Sequence, residues 1–277
     1  MKILPANGAE MPALGLGTWQ LKDDICIDIV SKALDVGYRH VDTAHMYGNE
    51  KEVGQGIRAV SVPREDVFLT TKVWPTDIGD GDLQRSAETS LSSLGTDYVD
   101  LLLIHWPNKA IPLADSIGAL NKVRERGLAR NIGVSNFTST MLKEAASLSA
   151  APLACNQVEY HPYLSQKAVH DMAAKLGMAV IAYCPIYKAG ALFDEKAVQE
   201  AAVAHGKTAA QIVLRWHMQQ DGCGAIPRTS KPERLAENLA VFDFELSDSE
   251  MASLTALGAN HDRLVNLSGF APQWDAA

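Results

Sequence analysis

The chain has 277 residues, 47% of them hydrophobic and 21% charged, with a formal net charge of −8 at pH 7. That balance fits a globular protein with a sizeable core, and it weighs against nucleic acid or an anionic membrane surface as a partner. No apolar run approaches the roughly 18 residues of a membrane span. The start, Met1-Lys2-Ile3-Leu4-Pro5, has no signal-peptide pattern, and Cys26, Cys155, Cys184 and Cys223 are dispersed with no CxxC pair. A cytoplasmic protein with reduced thiols and no metal site is expected.

In chain order, Asn7-Gly8 between two short apolar runs predicts a type I′ β-hairpin over residues 2–12. From there β-rich runs alternate with helical patterns to about residue 240. Strands are expected to end near Thr18, Asp42, Lys72, His105, Val134, Glu159, Tyr183 and Pro227, at spacings of 24 to 33 residues and a last one of 44. One strand–helix unit takes roughly 30 residues, so the long gap leaves room for an extra helix. Residues 194–205 and 208–220 both carry helical patterns. Asp23-Asp24 opens the first helix and Gly37 stops it, while Ser247-Asp248-Ser249-Glu250 is a capping box for a late helix ending near Gly258. Eight such units predict an α/β fold, a (β/α)8 TIM barrel with an N-terminal β-hairpin and extra helices. No linker divides the chain, so one domain over residues 1–277 is expected. The tail from Ala259 to Ala277 lacks periodicity and is expected to lie across the barrel mouth, anchored by Phe270 and Trp274.

The strand ends carry the chemistry. Asp42 closes Tyr38-Arg39-His40-Val41-Asp42, Lys72 closes Val67-Phe68-Leu69-Thr70-Thr71-Lys72, and His105 closes the run from Tyr98. Tyr47 follows in the loop after Asp42. An acid, an amine, an imidazole and a phenol at one rim would make a proton-transfer site. Two roles compete for Lys72. Paired with Asp42 and charged, it would depress the pKa of a phenol such as Tyr47, which is otherwise too weak an acid near neutrality. Unpaired and neutral, it could form a Schiff base with a carbonyl. His40, mid-strand and buried, and His45, exposed, read as structural.

A second constellation spans residues 226–238, where a strand ends at Pro227 and a helix starts near Pro232. Arg228, Thr229, Ser230 and Arg234 there make an anion site, which in an acidic protein points to a bound phosphate. Gly15-Leu16-Gly17-Thr18-Trp19 lacks the third glycine of a Rossmann fingerprint. Ser135, Asn136, Gln157, Glu159 and Tyr183 end other strands. Amides can grip a carboxamide, and an aromatic face can stack on a flat ring. Trp19, Trp74 and Trp106 follow three strand ends and would wall an apolar pocket.

Several ordered segments carry a resemblance along essentially the whole chain: Leu14 to Trp19, Gly37 to Ala44 through Tyr47-Gly48-Asn49-Glu50, and Thr71-Lys72-Val73-Trp74. It continues through Asp100 to Pro107, Ile132 to Phe137, Asn156 to Tyr163, and residues 226–238. The chain resembles the aldo-keto reductase family, and its compact loops look like the bacterial 2,5-diketo-gluconate reductase group. The resemblance implies a barrel that binds NADPH in extended form, with Asp42, Tyr47, Lys72 and His105 as the catalytic tetrad. Tyr47 would be the general acid, Lys72 would lower its pKa, Asp42 would hold Lys72 charged, and His105 would orient the carbonyl. The cofactor would lie along Gly17, Thr18, Trp19 and Asp42. Its nicotinamide would stack on Tyr183, with the carboxamide held by Ser135, Asn136 and Gln157. Arg228, Thr229, Ser230 and Arg234 would grip the 2′-phosphate, with Glu237 and Asn238 at the adenine, and Trp19, Tyr47, Trp74, His105 and Trp106 would face the substrate.

Two departures from the family pattern stand out: Arg228 where many relatives have lysine, and Cys184-Pro185-Ile186 where many have Ser-Pro-Leu. Arginine keeps the charge, so NADPH preference should survive; the second change removes a serine hydroxyl from the pyrophosphate. Small or medium carbonyls (2-oxoaldehydes, aromatic aldehydes, keto-sugar acids) are the expected substrates, and a monomer is the expected state. A Schiff-base lyase using Lys72 and a non-catalytic nucleotide sensor are the alternative readings.

Overall fold

The computed structural model describes residues 2–276. β1 (Ile3–Ala6) and β2 (Ala9–Pro12) form the expected antiparallel hairpin. Asn7 and Gly8 both take positive φ, at 50° and 91°, as a type I′ turn requires. Eight parallel strands follow: β3 (Leu16–Gly17), β4 (His40–Asp42), β5 (Phe68–Val73), β6 (Val99–Ile104), β7 (Ala129–Ser135), β8 (Leu153–Glu159), β9 (Ala179–Tyr183) and β10 (Cys223–Ala225). They pair in sequence order. A parallel bridge between Leu14 and Ala225 closes the ring, reinforced where Gly17 N–H donates to Pro227 C=O at 3.0 Å. β5, β6 and β8 are buried at every residue, as strands covered on both faces must be. The (β/α)8 barrel is therefore the fold, with strand ends within two residues of those expected.

The helices are α1 (Asp23–Val36), α2 (Glu50–Arg58), α3 (Asp82–Leu94), α4 (Leu113–Glu125), α5 (Ser139–Leu148), α6 (Lys167–Lys175), α7 (Ala191–Asp194), α8 (Lys196–His205), α9 (Ala209–Gln219), α10 (Glu233–Leu239) and α11 (Asp248–Ala256). Their ends obey local rules. Gly37, at φ 113°, lets its N–H return to the carbonyls of Ala33 and Leu34 and so stops α1. Reciprocal capping boxes start α9 at Thr208 and Gln211 and α11 at Ser247 and Glu250. The 44-residue gap holds α7, α8 and α9, one short helix more than the two patterns foretold. Among the described residues no helix is long and apolar enough to cross a membrane.

One irregularity positions the site. The β7–β8 register shifts between Ile132 and Val134, so that Ser135 comes opposite Gln157. The residue between them is Gly133, where a Cβ would stand 2.8 Å from the Cys155 carbonyl oxygen. Only glycine lets the two backbones approach that closely.

The packing between α9 and the barrel wall contains a fully buried histidine, His217, whose Nε2 donates to Pro185 C=O at 3.0 Å. Burial, partly offset by that hydrogen bond, pushes its pKa down to about 3. The unfolded chain, with an ordinary value near 6.5, takes up a proton that the folded chain refuses. The stability contributed by neutral His217 is thus full above pH 6.5 and is lost as pH falls from there toward 3. Urea unfolding is expected to show stability falling by up to about 1.4 kcal/mol per pH unit below 6.5 from this residue. His217→Gln should make the decline shallower by that amount, leaving the part due to His170 and the other buried histidines; an unchanged slope would count against the assignment.

Candidate active site

Asp42 is the last residue of β4 and pairs with Thr70 of β5; Lys72 lies two residues further along β5, on the same interior face. Lys72 is fully buried and its three N–H donors find three acceptors. Asp42 Oδ1 lies at 2.5 Å, the Thr43 carbonyl at 2.8 Å and the Tyr47 hydroxyl at 3.3 Å. The other Asp42 oxygen accepts from Gln157 Nε2 at 2.7 Å. Burial pushes the Lys72 pKa down, but Asp42 and Tyr47 push it up further, and the net direction is up. Lys72 is a charged, paired lysine, and the neutral amine needed for a Schiff base is disfavoured.

Lys72 lowers the Tyr47 pKa as expected, but the net direction is up. Burial around its hydroxyl raises its pKa, and the Lys72 charge, which lowers it, does not overcome that. The resting phenol is a neutral proton donor whose conjugate base already has a cation in place. His105 is held well below its ordinary value by burial and by the Lys72 charge, so its imidazole is neutral. Its ring centroid stands 5.8 Å from that of Tyr47, and its Nδ1 is buried without a hydrogen-bond partner.

The loop carrying Tyr47 is fixed by residues that sequence inspection missed. Tyr47 ends a single 3-10 turn (His45–Tyr47), closed by Gly48 at φ 61°. Its carbonyl accepts from Lys22 Nζ at 2.5 Å. Buried Asn49 donates to the carbonyls of Thr18 and Leu21 and accepts from the Thr43 hydroxyl at 2.9 Å, stitching this loop to the end of β3. These partners are 6 to 31 residues away in sequence with no periodic pattern joining them, so no sequence signal could find them. His40 is buried between the Pro12 carbonyl and Thr70, a structural residue as expected. His45 is half-buried rather than exposed, because Glu50 at 3.3 Å draws it inward.

Next to the tetrad lies a ring of polar groups. Ser135 donates to the Gln157 carbonyl at 2.8 Å, Asn136 donates to the His105 carbonyl at 3.0 Å, and the Tyr183 hydroxyl donates to Asn136 Oδ1 at 2.7 Å. Asn136 takes φ 63°, which turns its amide toward this ring. Cys184, also left-handed at φ 49°, is half-buried, and burial raises its thiol to about 11, so it is a poor nucleophile. On the far side, Arg228 donates to the Trp19 carbonyl at 3.1 Å, and Thr229 closes a tight turn with Lys231. Ser230 and Arg234 are exposed. Glu237 accepts from Thr208, and Asn238 is largely buried beside Tyr38. Among the described residues no carboxylate pairs with Arg228, Lys231 or Arg234. In a protein of net charge −8, three cations without counterions form a donor set that fits phosphate.

Of the three tryptophans, Trp19 is 44% exposed with its ring 4.8 Å from Tyr47, and Trp74 packs edge-on to His105 at 5.5 Å. Trp106 is almost covered, at 4% exposure, because Trp274 of the tail packs against it at 6.1 Å. Phe270 meets Trp74 in the same way. The tail does cross the barrel mouth on the two aromatic residues expected.

An eight-stranded parallel barrel with a buried lysine–carboxylate–phenol cluster at its C-terminal rim is built for proton transfer, and residues 13–259 match the model of the aldo/keto reductase family. The chain belongs to that family and is an oxidoreductase of its carbonyl-reducing type. It is 42% identical to the methylglyoxal reductase DkgB of Salmonella typhi over 96% of this chain and 99% of the relative. It is 45% identical to an aldo-keto reductase of a Mycobacterium species (strain MCS), over 91% of this chain and 88% of the relative. Its fold superposes with a TM-score of 0.97 on a crystal structure provisionally described as a 2,5-diketo-D-gluconic acid reductase B, at 47% identity, covering 100% of this chain and 98% of the other.

The buried pair supports a stability prediction. Asp42→Ala would leave the Lys72 ammonium buried without its counterion and should cost about 3–5 kcal/mol in urea unfolding, while Asp42→Leu with Lys72→Met together should recover most of that. An Asp42→Ala variant as stable as the parent would contradict the pairing described.

Proposed function

We propose that the protein reduces small aldehydes and ketones to alcohols with NADPH, and that Tyr47 gives the proton. The observation that carries this reading is the single Lys72 ammonium that hydrogen-bonds both Asp42 and the Tyr47 hydroxyl. Bound nicotinamide would supply the hydride. Everything else falls to this chain. As a carbonyl oxygen gains negative charge, it needs a donor already aimed at it and a charge that does not have to reorganise. Tyr47 Oη releases its proton to that oxygen, and the phenolate left behind is stabilised by Lys72 at 3.3 Å. Asp42 keeps Lys72 from sharing its own proton. His105, neutral, can donate one hydrogen bond that orients the carbonyl without competing as an acid.

The buried Ser135 hydroxyl and the buried amides of Asn136 and Gln157, beside Tyr183, fit a carboxamide-bearing ring, with Gly17, Thr18, Trp19 and Asp42 along the same edge. Arg228, Thr229, Ser230 and Arg234 fit the 2′-phosphate that distinguishes NADPH from NADH, and Glu237 and Asn238 border the adenine. Trp19, Trp74 and Trp106 give the substrate pocket an aromatic wall. We place 2-oxoaldehydes and keto-sugar acids among its substrates, in agreement with the activities for which two relatives are named. The chain would act as a monomer, a single domain working in the cytoplasm.

Three outcomes are expected. Tyr47→Phe should lower kcat by about 10²–10⁴-fold in a 340 nm assay with methylglyoxal, the range for losing a general acid. Its NADPH affinity should stay unchanged; equal turnover in the variant would sink the role of Tyr47. Because His105 titrates far below its usual range and Tyr47 above its own, kcat/KM should show no inflection near pH 6.5, the ordinary histidine value, and should decline only in strongly alkaline solution. Arg234→Ala should weaken NADPH by roughly tenfold, the scale of one charge-assisted contact, and leave NADH untouched. Equal losses for both cofactors would argue against the 2′-phosphate placement.

A further inference from the structure

The tail beyond residue 259 lies outside the family match, yet it covers the mouth of the barrel. None of residues 261–276 is fully buried. Half-buried Phe270 and Trp274 give the tail some apolar contact, and polar anchors add to it. Two carboxylates serve here. Glu159, the last residue of β8, is fully buried, and its two oxygens accept the backbone N–H groups of Leu264 at 2.6 Å and Val265 at 2.7 Å. His161 Nε2 engages the same carboxylate at 2.9 Å. At the other end, Asp275 accepts from the Ser139 N–H at 2.8 Å and from the Ser139 hydroxyl at 2.7 Å. Ser139 is the first residue of the ten-residue α5, where unpaired N–H groups and the helix dipole favour an anion. The Asp262 N–H adds a bond to the Tyr163 carbonyl at 2.9 Å, and Tyr187 donates to its carboxylate.

Between these anchors the tail stiffens itself. Trp274 donates to Asn266 at 3.0 Å, and the Arg263 guanidinium lies 3.7 Å from the Trp274 ring centroid. Trp274 thereby meets Trp106, and Phe270 meets Trp74, at ring distances of 6.1 Å in both cases.

We propose that Glu159 and Asp275 are positioning residues for substrate selection: they strap the tail across the mouth and so fix Phe270 and Trp274 as the second wall of the substrate pocket. The selection rests on the carbonyl-reductase reading above; the strapping does not. With either anchor released, Phe270 and Trp274 leave Trp74 and Trp106, the pocket widens, and small carbonyls lose the contacts that hold them while bulky ones gain room. The hydrogen bonds that hold Asp42, Lys72 and the Tyr47 loop involve neither anchor.

The test uses Glu159→Gln and Asp275→Ala. The second lies at the partly exposed chain end and keeps the test alive if the buried substitution prevents folding. Chymotrypsin cleavage of the Phe270–Ala271 bond, which neither substitution alters, followed by intact mass, reports the strap without any turnover. It should accelerate about tenfold or more, the equilibrium weight of one charge-assisted hydrogen bond. In parallel, kcat and KM are measured for methylglyoxal and for a bulky aromatic aldehyde with NADPH. KM for methylglyoxal should rise several-fold and the preference for it over the bulky aldehyde should shrink, with kcat for methylglyoxal and the NADPH Kd unchanged. Unaltered cleavage in both variants would overturn the strap. Faster cleavage with unaltered preference would overturn its role in selection. If the wild-type protein reduced neither aldehyde, the functional reading and the selection claim would fail together, while cleavage would still decide the anchoring.

Discussion

A lysine with no solvent contact is the constraint around which this barrel is arranged. Burying an ammonium costs several kcal/mol even after relaxation, and the cost is offset only if its charge is paired and every proton is used. Lys72 meets that condition with Asp42, the Thr43 carbonyl and the Tyr47 hydroxyl. Two of those partners cannot move, because Asp42 is tied in turn to Gln157 and Thr43 to Asn49. The third, Tyr47, is the group that can give up a proton. Burial keeps His105 neutral, and the same charge that stabilises a phenolate adds to that effect. One buried cation thus separates the roles of the two donors facing the pocket: the phenol is a proton source, and the imidazole is a dipole.

The architecture makes such a cluster affordable. Strands β4 and β5 deliver Asp42 and Lys72 from the barrel wall, where the backbone is fully hydrogen-bonded and cannot relax toward the charges. The loop that carries Tyr47 has no such frame and borrows one from Asn49 and Lys22. The bulge at Gly133 brings Ser135 and Asn136 level with Gln157, so the polar ring beside the tetrad depends on the absence of one side chain. Strand ends and a loop braced against them carry the reacting groups, and the softer tail adds aromatic surface.

What was legible in the sequence follows the range of the forces involved. Strand ends could be read because an apolar run that stops at Asp42, Lys72 or His105 marks both a burial boundary and a rim. The hairpin at Asn7-Gly8 and the capping box at Ser247–Glu250 were legible because a few adjacent residues decide them. The register shift at Gly133 was not, since a glycine inside a strand pattern does not say which neighbour approaches. That Lys72 lowers the Tyr47 pKa was legible because charge pairs can be guessed from strand order; that burial outweighs it was not, since desolvation depends on everything packed around the hydroxyl. Glu159 could be placed at the mouth but not joined to Leu264 and Val265, about a hundred residues away with no pattern to link them.

The most direct test of this account is the charge state of Lys72 itself, followed by ¹⁵N-detected NMR of lysine side chains with Lys72→Met to assign the signal. The Lys72 nitrogen should remain an ammonium from neutral pH to beyond 10.5, the ordinary lysine value, as its raised pKa requires. A nitrogen that is already a neutral amine near pH 7 would contradict the pairing with Asp42, remove the cation that supports Tyr47, and return Lys72 to the role of a nucleophile.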